Sequence, residues 1–210
     1  MEIEHALLSG EPLCGISLGF AKCFDKLPHT MLLAMARRTG VPEPIVRALG
    51  GMYSQLERRF KTGCVLGQPF RSTNGILQGC PISVLLLNIF AQTWASAVHS
   101  EVPGSFPKAY ADDMSATGKQ PRTILEICKV STEFAALTGM EVNADKSSVW
   151  ATLVAHRREL QRMARISGEP IPCVHEDRML GAYTAFTRKR ARATLSRKLP
   201  CCLAIGERIG

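Results

Sequence analysis

The sequence lacks the spacings that mark several common chemistries. Its eight cysteines, Cys14, Cys23, Cys64, Cys80, Cys128, Cys173, Cys201 and Cys202, never stand at C-x-x-C, which excludes the usual zinc pattern. They lie in apolar stretches or near the end and form no disulfide framework, so reduced, mostly buried thiols of an intracellular protein are expected. The five histidines show no nuclease or metal spacing, and there is no endonuclease or RNase H signature. Residues 1–12 (MEIEHALLSGEP) are acidic and carry no long apolar run, which excludes a secretory signal there. The longest apolar stretch, Ile82 to Ala91, is too short to span a bilayer and is interrupted by Ser83 and Asn88. A soluble chain with no membrane association is expected. Repeats and low-complexity blocks are missing, no feature points to a protein partner, and nothing distinguishes nucleus from cytoplasm.

What is present is enough for one domain or a little more. The chain has 210 residues, 46% of them hydrophobic, so a packed core is affordable. A formal net charge of +8 and a pI near 9.3 make a polyanionic partner plausible without specifying one.

Hydrophobic periodicity divides the chain into short elements. Residues 13–18 (LCGISL) read as a buried strand ending in a turn at Gly19. A helix begins near Pro28 and stops at Gly40, and a second runs from about Pro44 to Phe60. Residues 61–76 suggest a hairpin or two short strands. Pro81 opens a helix from Ile82 to Ser100, buried on most sides. Residues 108–117 (KAYADDMSAT) read as a hairpin with two acids at its tip. A helix from Arg122 to Thr138 is stopped by Gly139. Residues 140–153 make a strand pair or a strand and turn, and Ala155 to Ile166 a last helix. RMLGAY is a short strand and RKRARATLSRK a basic helix. The order predicts an α+β fold with an antiparallel sheet covered by helices on one face.

Asp112 and Asp113 are the first residues to single out for chemistry. Adjacent carboxylates repel, and a cation that neutralises them removes the cost. Taken alone, paired acids in a turn are usually just solvated.

The surrounding segments widen that reading. SLGFAKCFDKLPH, NGILQGCPISVLLLNIF, AYADDMSATGK, TGMEVNADKSSVW and RMLGAY follow one another in this order. They resemble the successive blocks of reverse transcriptases from non-LTR retrotransposons and group II introns. That family's blocks run D-x-x-K-A-F-D, G-x-x-Q-G-x-x-x-S, aromatic-A-D-D, G-x-x-x-N-x-x-K and L-G. The resemblance covers about residues 13–183. It implies the palm of a polymerase right hand, with inserted fingers elements, over 13–183. Residues 1–12 would be a remnant before the palm, and 184–210 a basic tail or the start of a thumb, with fingers and thumb otherwise largely truncated.

The resemblance also implies a chemistry. A primer 3′-hydroxyl attacks an α-phosphate in line, and two divalent ions about 4 Å apart lower the hydroxyl's pKa and stabilise the leaving pyrophosphate. The partners would be an RNA template, a DNA primer and dNTPs, and the cofactor Mg²⁺, with Mn²⁺ as a substitute. Asp112 and Asp113 match the metal-binding acids, Asp112 as the one bridging both ions. Lys146 matches a lysine that neutralises or protonates pyrophosphate, although a lone lysine is commonly just solvated. Phe24 matches the residue that stacks under the incoming sugar and excludes a 2′-hydroxyl; it also suits a core. Gln78 and Gly79, followed by Pro81 and Ser83, match the block facing the template and nascent base pair. Tyr110 precedes the acids as the block's aromatic residue. Leu180 and Gly181 match the primer grip. Arg188, Lys189, Arg190, Arg192, Arg197 and Lys198 suit backbone phosphates or a merely solvated helix.

One position departs from the pattern. With Phe24-Asp25 as the closing F-D of the first block, its leading acid falls on Gly19, which has no carboxylate. Asp25 matches the block's second acid, which is not a metal ligand, and reads as a helix-start residue. The third ligand place is therefore vacant, and catalysis is expected to be severely impaired. A non-enzymatic nucleic-acid-binding remnant of a retroelement is the alternative. A chain that does not fold stably alone is a third reading, because truncation would leave apolar faces uncovered.

Overall fold

The computed structural model describes residues 2–110, 112–179 and 182–187. Leu180, Gly181, Arg188, Lys189, Arg190, Arg192, Arg197 and Lys198, which the resemblance matches to primer and phosphates, lie outside them.

The acidic leader forms a helix, α1 (Glu2–Ser9), which composition alone does not announce. Its Ala6 packs in a small apolar cluster with Leu13, Trp150 and Phe186. Strand β1 (Cys14–Phe20) runs on through Gly19 to Phe20 instead of turning there, because neighbouring strands pair with it on both sides. Two helices follow, α2 (Cys23–Lys26) and α3 (His29–Arg38). Helix α4 (Glu43–Gln55) has proline in its first turn and buries Val46, Leu49 and Tyr53 at helical spacing. It stops at Gln55, short of Phe60, because Leu56 turns extended and the chain enters a hairpin.

That hairpin has two tiers. Its outer tier pairs β2 (Glu57–Arg58) with β5 (Phe70–Arg71), and its inner tier β3 (Lys61–Thr62) with β4 (Val65–Leu66). The chain then enters α5 (Pro81–Glu101), a 21-residue helix with Pro81 in its first turn. By length and apolar composition this helix could cross a bilayer, unlike the shorter stretch read from sequence. One side of it joins the core, where Leu86, Leu87, Phe90, Trp94 and Val98 are covered. Val84 and Leu85 face outward and exposed, so burial is less complete than its sequence suggests.

The sheet is completed by β6 (Phe106–Tyr110), β7 (Asp113–Gly118) and β8 (Val142–Ala151). Its four strands lie in the order β6-β7-β1-β8, each pair antiparallel. Between β7 and β8 runs α6 (Pro121–Thr138), closed by Gly139 in the left-handed conformation with φ 67°. Residues 142–151 are one long strand rather than a pair. Helix α7 (Val154–Met163) ends before β9 (Arg165–Ile166), which pairs with β10 (Glu169–Pro170). Last come β11 (Glu176–Met179) and β12 (Ala182–Ala185), an antiparallel pair around the L-G block.

Alternation along β1 sorts its side chains between two faces. Ile16, Leu18 and Phe20 enter the main core with Met114 and Ala116 of β7 and the buried residues of α5 and α6. The two helices are joined in that core by Trp94 Nε1, which donates to Ser131 Oγ at 3.0 Å. The opposite face carries Gly15, Ser17 and Gly19, paired with Thr117, Ser115 and Asp113. Helices thus back one face, and the other presents a floor of small side chains. Over one end of that floor Trp150 stacks on Phe186 with ring centroids 4.3 Å apart.

Burial governs the thiols. Cys14, Cys23 and Cys128 are pushed up to about 12, chiefly by desolvation, while Cys64 is exposed on the hairpin turn. Iodoacetamide at pH 8 is expected to alkylate Cys64 in the native chain, and Cys14, Cys23 and Cys128 only after urea. Peptide mass mapping reads the result, and rapid native labelling of the latter three would contradict this core.

Candidate active site

The hairpin β6-β7 places the two acids at one edge of the open face. Tyr110 and Asp113 close the ladder as paired residues, and Asp112 lies in the turn between them. A cavity of about 450 Å³ opens here. Asp112, Asp113, Tyr110 and Lys146 line it with Gly19, Ser17, Lys108 and Asp177. Four sequence-nominated positions therefore meet Gly19 in one place. Tyr110 keeps 69% of its surface exposed beside the acids.

Phe24, Gln78 and Gly79 do not line this cavity; they form an adjacent group. Phe24 is partly buried against the core, so both descriptions offered by sequence apply to it. Ile76 N donates to its carbonyl at 2.7 Å, tying the second block to the first. Gln78 Nε2 donates to Asp25 Oδ1 at 3.5 Å, a long contact that gives Asp25 a structural role. Gly79 has φ 84°, which L side chains rarely adopt, and open space where a Cβ would stand. Ser83 is buried within α5.

Gly19 lies directly across from Asp113 in the β1-β7 register. Residues opposite each other on an antiparallel pair hold their Cβ atoms about 5 Å apart. A side chain at position 19 would therefore emerge beside the acid pair. On its other side β1 meets an irregularity in β8: Ser17 pairs with Ser148, but Gly19 pairs with Asn143. The extra residues of β8 loop out over Gly19. Local hydrogen bonds hold this bulge. Asn143 Oδ1 accepts from Lys146 N at 3.2 Å, an Asx-type contact that explains N-x-x-K spacing. Ser147 Oγ donates to Asn143 O at 2.8 Å and accepts from Gly19 N at 3.1 Å.

The bulge fills the space that a side chain at 19 would need. A Cβ there would stand 2.5 Å from Lys146 Cβ and 2.8 Å from the Lys146 carbonyl oxygen. Both are closer than such atoms tolerate, and one is backbone, so β8 would have to move.

Asp177 is the site residue that sequence reading missed. It precedes the L-G block by only a few residues, but no motif marks it. It reaches the cavity because β11 folds back beside β8, where Ser148 Oγ donates to Asp177 Oδ2. Asp113's carboxyl is raised above the usual range, first by burial, then by the negative charges of Asp112 and Asp177. Such an acidic edge would be relieved by a cation. Yet among the described residues no group of three or more His, Cys, Asp or Glu side chains is arranged to hold a metal ion.

Residues 3–183 match the family model described as Reverse transcriptase (RNA-dependent DNA polymerase). The Transposon TX1 uncharacterized 149 kDa protein of Xenopus laevis is 24% identical over 155 residues, covering 70% of this chain and 12% of that protein. The Retrovirus-related Pol polyprotein from type-2 retrotransposable element R2DM of Drosophila melanogaster is 24% identical over 136 residues, covering 62% of this chain and 13% of its own. The chain thus spans about an eighth of these relatives. Apo telomerase from Candida tropicalis, truncated from its C-terminal domain, superposes with a TM-score of 0.61 at 15% identity, covering 88% of this chain and 36% of that one. A Candida tropicalis telomerase in complex with the TWJ fragment of telomeric RNA gives 0.57 at 14% identity, covering 74% and 29%. At such identities the structural likeness shows the fold, an α+β polymerase palm.

The raised Asp113 has a pH signature. A raised folded-state pKa means that folding favours the protonated acid. The resulting penalty is absent below the ordinary aspartate pKa of about 4 and grows as pH rises through the raised value. In chelator-treated buffer Asp113→Asn is expected to raise Tm at pH 7 and leave it unchanged near pH 3. A lowered Tm at pH 7 would contradict the charge arrangement.

Proposed function

The chain belongs to the reverse transcriptase (RNA-dependent DNA polymerase) family, and on that premise we propose that its palm serves template-directed deoxynucleotidyl transfer and is severely impaired in it at Gly19. The observation that carries this reading is the pairing of Gly19 with Asp113. The place from which a third carboxylate would join the acid pair holds a hydrogen atom instead.

Mg²⁺, or Mn²⁺ in its stead, would be held by Asp112 and Asp113, since hard cations take carboxylate oxygens. Bound there, a divalent cation would supply electrostatic stabilisation of the transferring phosphate. Two carboxylates fall short of the three that a two-ion site takes from the family's first and third blocks. Asp177 adds negative charge at the rim but is engaged by Ser148.

The chain's own groups are assigned as follows. Lys146 carries an exposed ammonium at the cavity, placed to offset charge on a leaving pyrophosphate. Phe24 would back the incoming sugar and favour deoxynucleotides. Gln78 and Gly79 would face the template and nascent pair, where the bare backbone of Gly79 allows close approach. Tyr110 would border the primer terminus. Leu180 and Gly181 would hold the primer, and Arg188, Lys189, Arg190 and Arg192 would follow backbone phosphates. RNA template, DNA primer and dNTPs are the corresponding partners. The closure of β8 over Gly19 favours a second reading, a nucleic-acid-binding remnant without polymerisation.

Primer extension on an RNA template with dNTPs and Mg²⁺ tests the first reading. The parent is expected to extend at least about a hundredfold more slowly than Gly19→Asp, because metal activation and positioning each contribute several kcal/mol. Mn²⁺ should narrow the gap. Equal activity of the two chains contradicts the reading. Silence of both, with salt-sensitive RNA binding retained, supports the remnant.

A further inference from the structure

The hairpin from β2 to β5 carries features that the cavity does not use. Its segment 57–71 (ERRFKTGCVLGQPFR) holds Arg58, Arg59, Lys61 and Arg71 against a single acid, Glu57. It also leaves large apolar groups in solvent: Phe60 is 74% exposed, Val65 71%, Leu66 61% and Phe70 38%. Phe60 and Phe70 stack on each other, ring centroids 5.0 Å apart and planes 21° apart. Two-residue strands and a solvent-facing aromatic pair do not make a core.

The four cations are not equivalent. Arg58 fixes the hairpin to the palm: its Nη2 donates to the Gly75 carbonyl at 2.7 Å, and His29 Nε2 meets the same oxygen at 2.7 Å. Arg71 stands 3.7 Å from Glu57 in an exposed pair, which contributes little. Arg59 and Lys61 are exposed and make no ion pair among the described residues. Both flank Phe60 in the chain. The anchor at Gly75 sits in the loop that continues to Gln78 and Gly79, so the hairpin rises from the side of the palm assigned to the template.

We propose that this hairpin is a binding surface for single-stranded nucleic acid, the unpaired template RNA next to the palm. Phe60 and Phe70 offer a platform for bases, which stack on aromatic rings whatever their identity, while Arg59 and Lys61 meet the phosphates. Charge selects this occupant over a second copy of the chain, since two such hairpins face to face would bring like charges together. The inference rests on the reading of the chain as a template-using polymerase palm.

Fluorescence anisotropy of fluorescein-labelled oligo(U) RNA, titrated with the full chain over a range of salt, tests it. Phe60→Ser/Phe70→Ser is expected to weaken binding about tenfold at fixed salt. Arg59→Gln/Lys61→Gln should lower the slope of log affinity against log salt by about 1.4, near 0.7 for each lost phosphate contact. Melting by circular dichroism should match the parent, because these side chains lie outside the core. Parent-like binding by both variants overturns the inference, as does a parent that binds no RNA. So does loss of self-association in sedimentation with RNA binding intact, which would make the surface a contact between copies. Primer extension separates the two readings. If the parent or Gly19→Asp extends primers while hairpin variants bind unchanged, only the hairpin inference fails. If RNA binds through the hairpin and Gly19→Asp stays silent, only the polymerase reading fails.

Discussion

The close approach of β8 to β1 is the constraint on which the rest of this structure depends. β1 is one of two inner strands, paired with β7 on one side and β8 on the other. Its core-facing residues are large, and its open-face residues are glycine or serine. A Cβ at Gly15 would stand 2.2 Å from the Trp150 ring. That ring is itself fixed by Phe186, so it has nowhere to go. At Gly19 the Lys146 backbone takes the same liberty. The two glycines therefore allow β8 to lie over the open face at both ends, and between them they set where the cavity begins.

Electrostatics and packing at the acidic edge work against each other. Asp112 and Asp113 are brought together by a tight turn, and Asp177 arrives from a separate hairpin. Burial raises the carboxyl of Asp113 first, and the charges of Asp112 and Asp177 raise it further. A third carboxylate opposite Asp113 would worsen that repulsion without cations and help to bind them in their presence. Glycine at this position relieves the charge, and the bulge of β8 occupies the freed volume. Loss of the side chain and closure of the strand are thus two aspects of one arrangement. Restoring the carboxylate requires the second to yield as well as the first.

Much of this was legible in the sequence because local rules and block order agreed. Pro81 and Gly139 bracket helices where expected, and the turn at Asp112 follows from strand patterning on each side. Gly19, which the family resemblance aligns with an acid, pairs with Asp113 in the β1-β7 register. Other features lie beyond linear reading. β1 continues through Gly19 because tertiary pairing overrides a glycine's preference for turns. Helix α1 places Ala6 in a buried cluster with Trp150 and Phe186, partners far away in sequence. Asp177 reaches the cavity through a fold-back that no motif encodes. The exposed faces of α5 and the hairpin are visible only once burial is known.

Urea unfolding of Gly19→Ala tests the central claim most directly. Elsewhere on a strand, replacing glycine by alanine commonly stabilises by about 0.5–1 kcal/mol. At position 19 the added methyl would enter the space of the Lys146 backbone, and the expected result is a loss of about 1–3 kcal/mol, typical of overpacking. A stability equal to or above the parent's would mean that β8 does not close over Gly19, and strand closure would then not account for a glycine opposite Asp113.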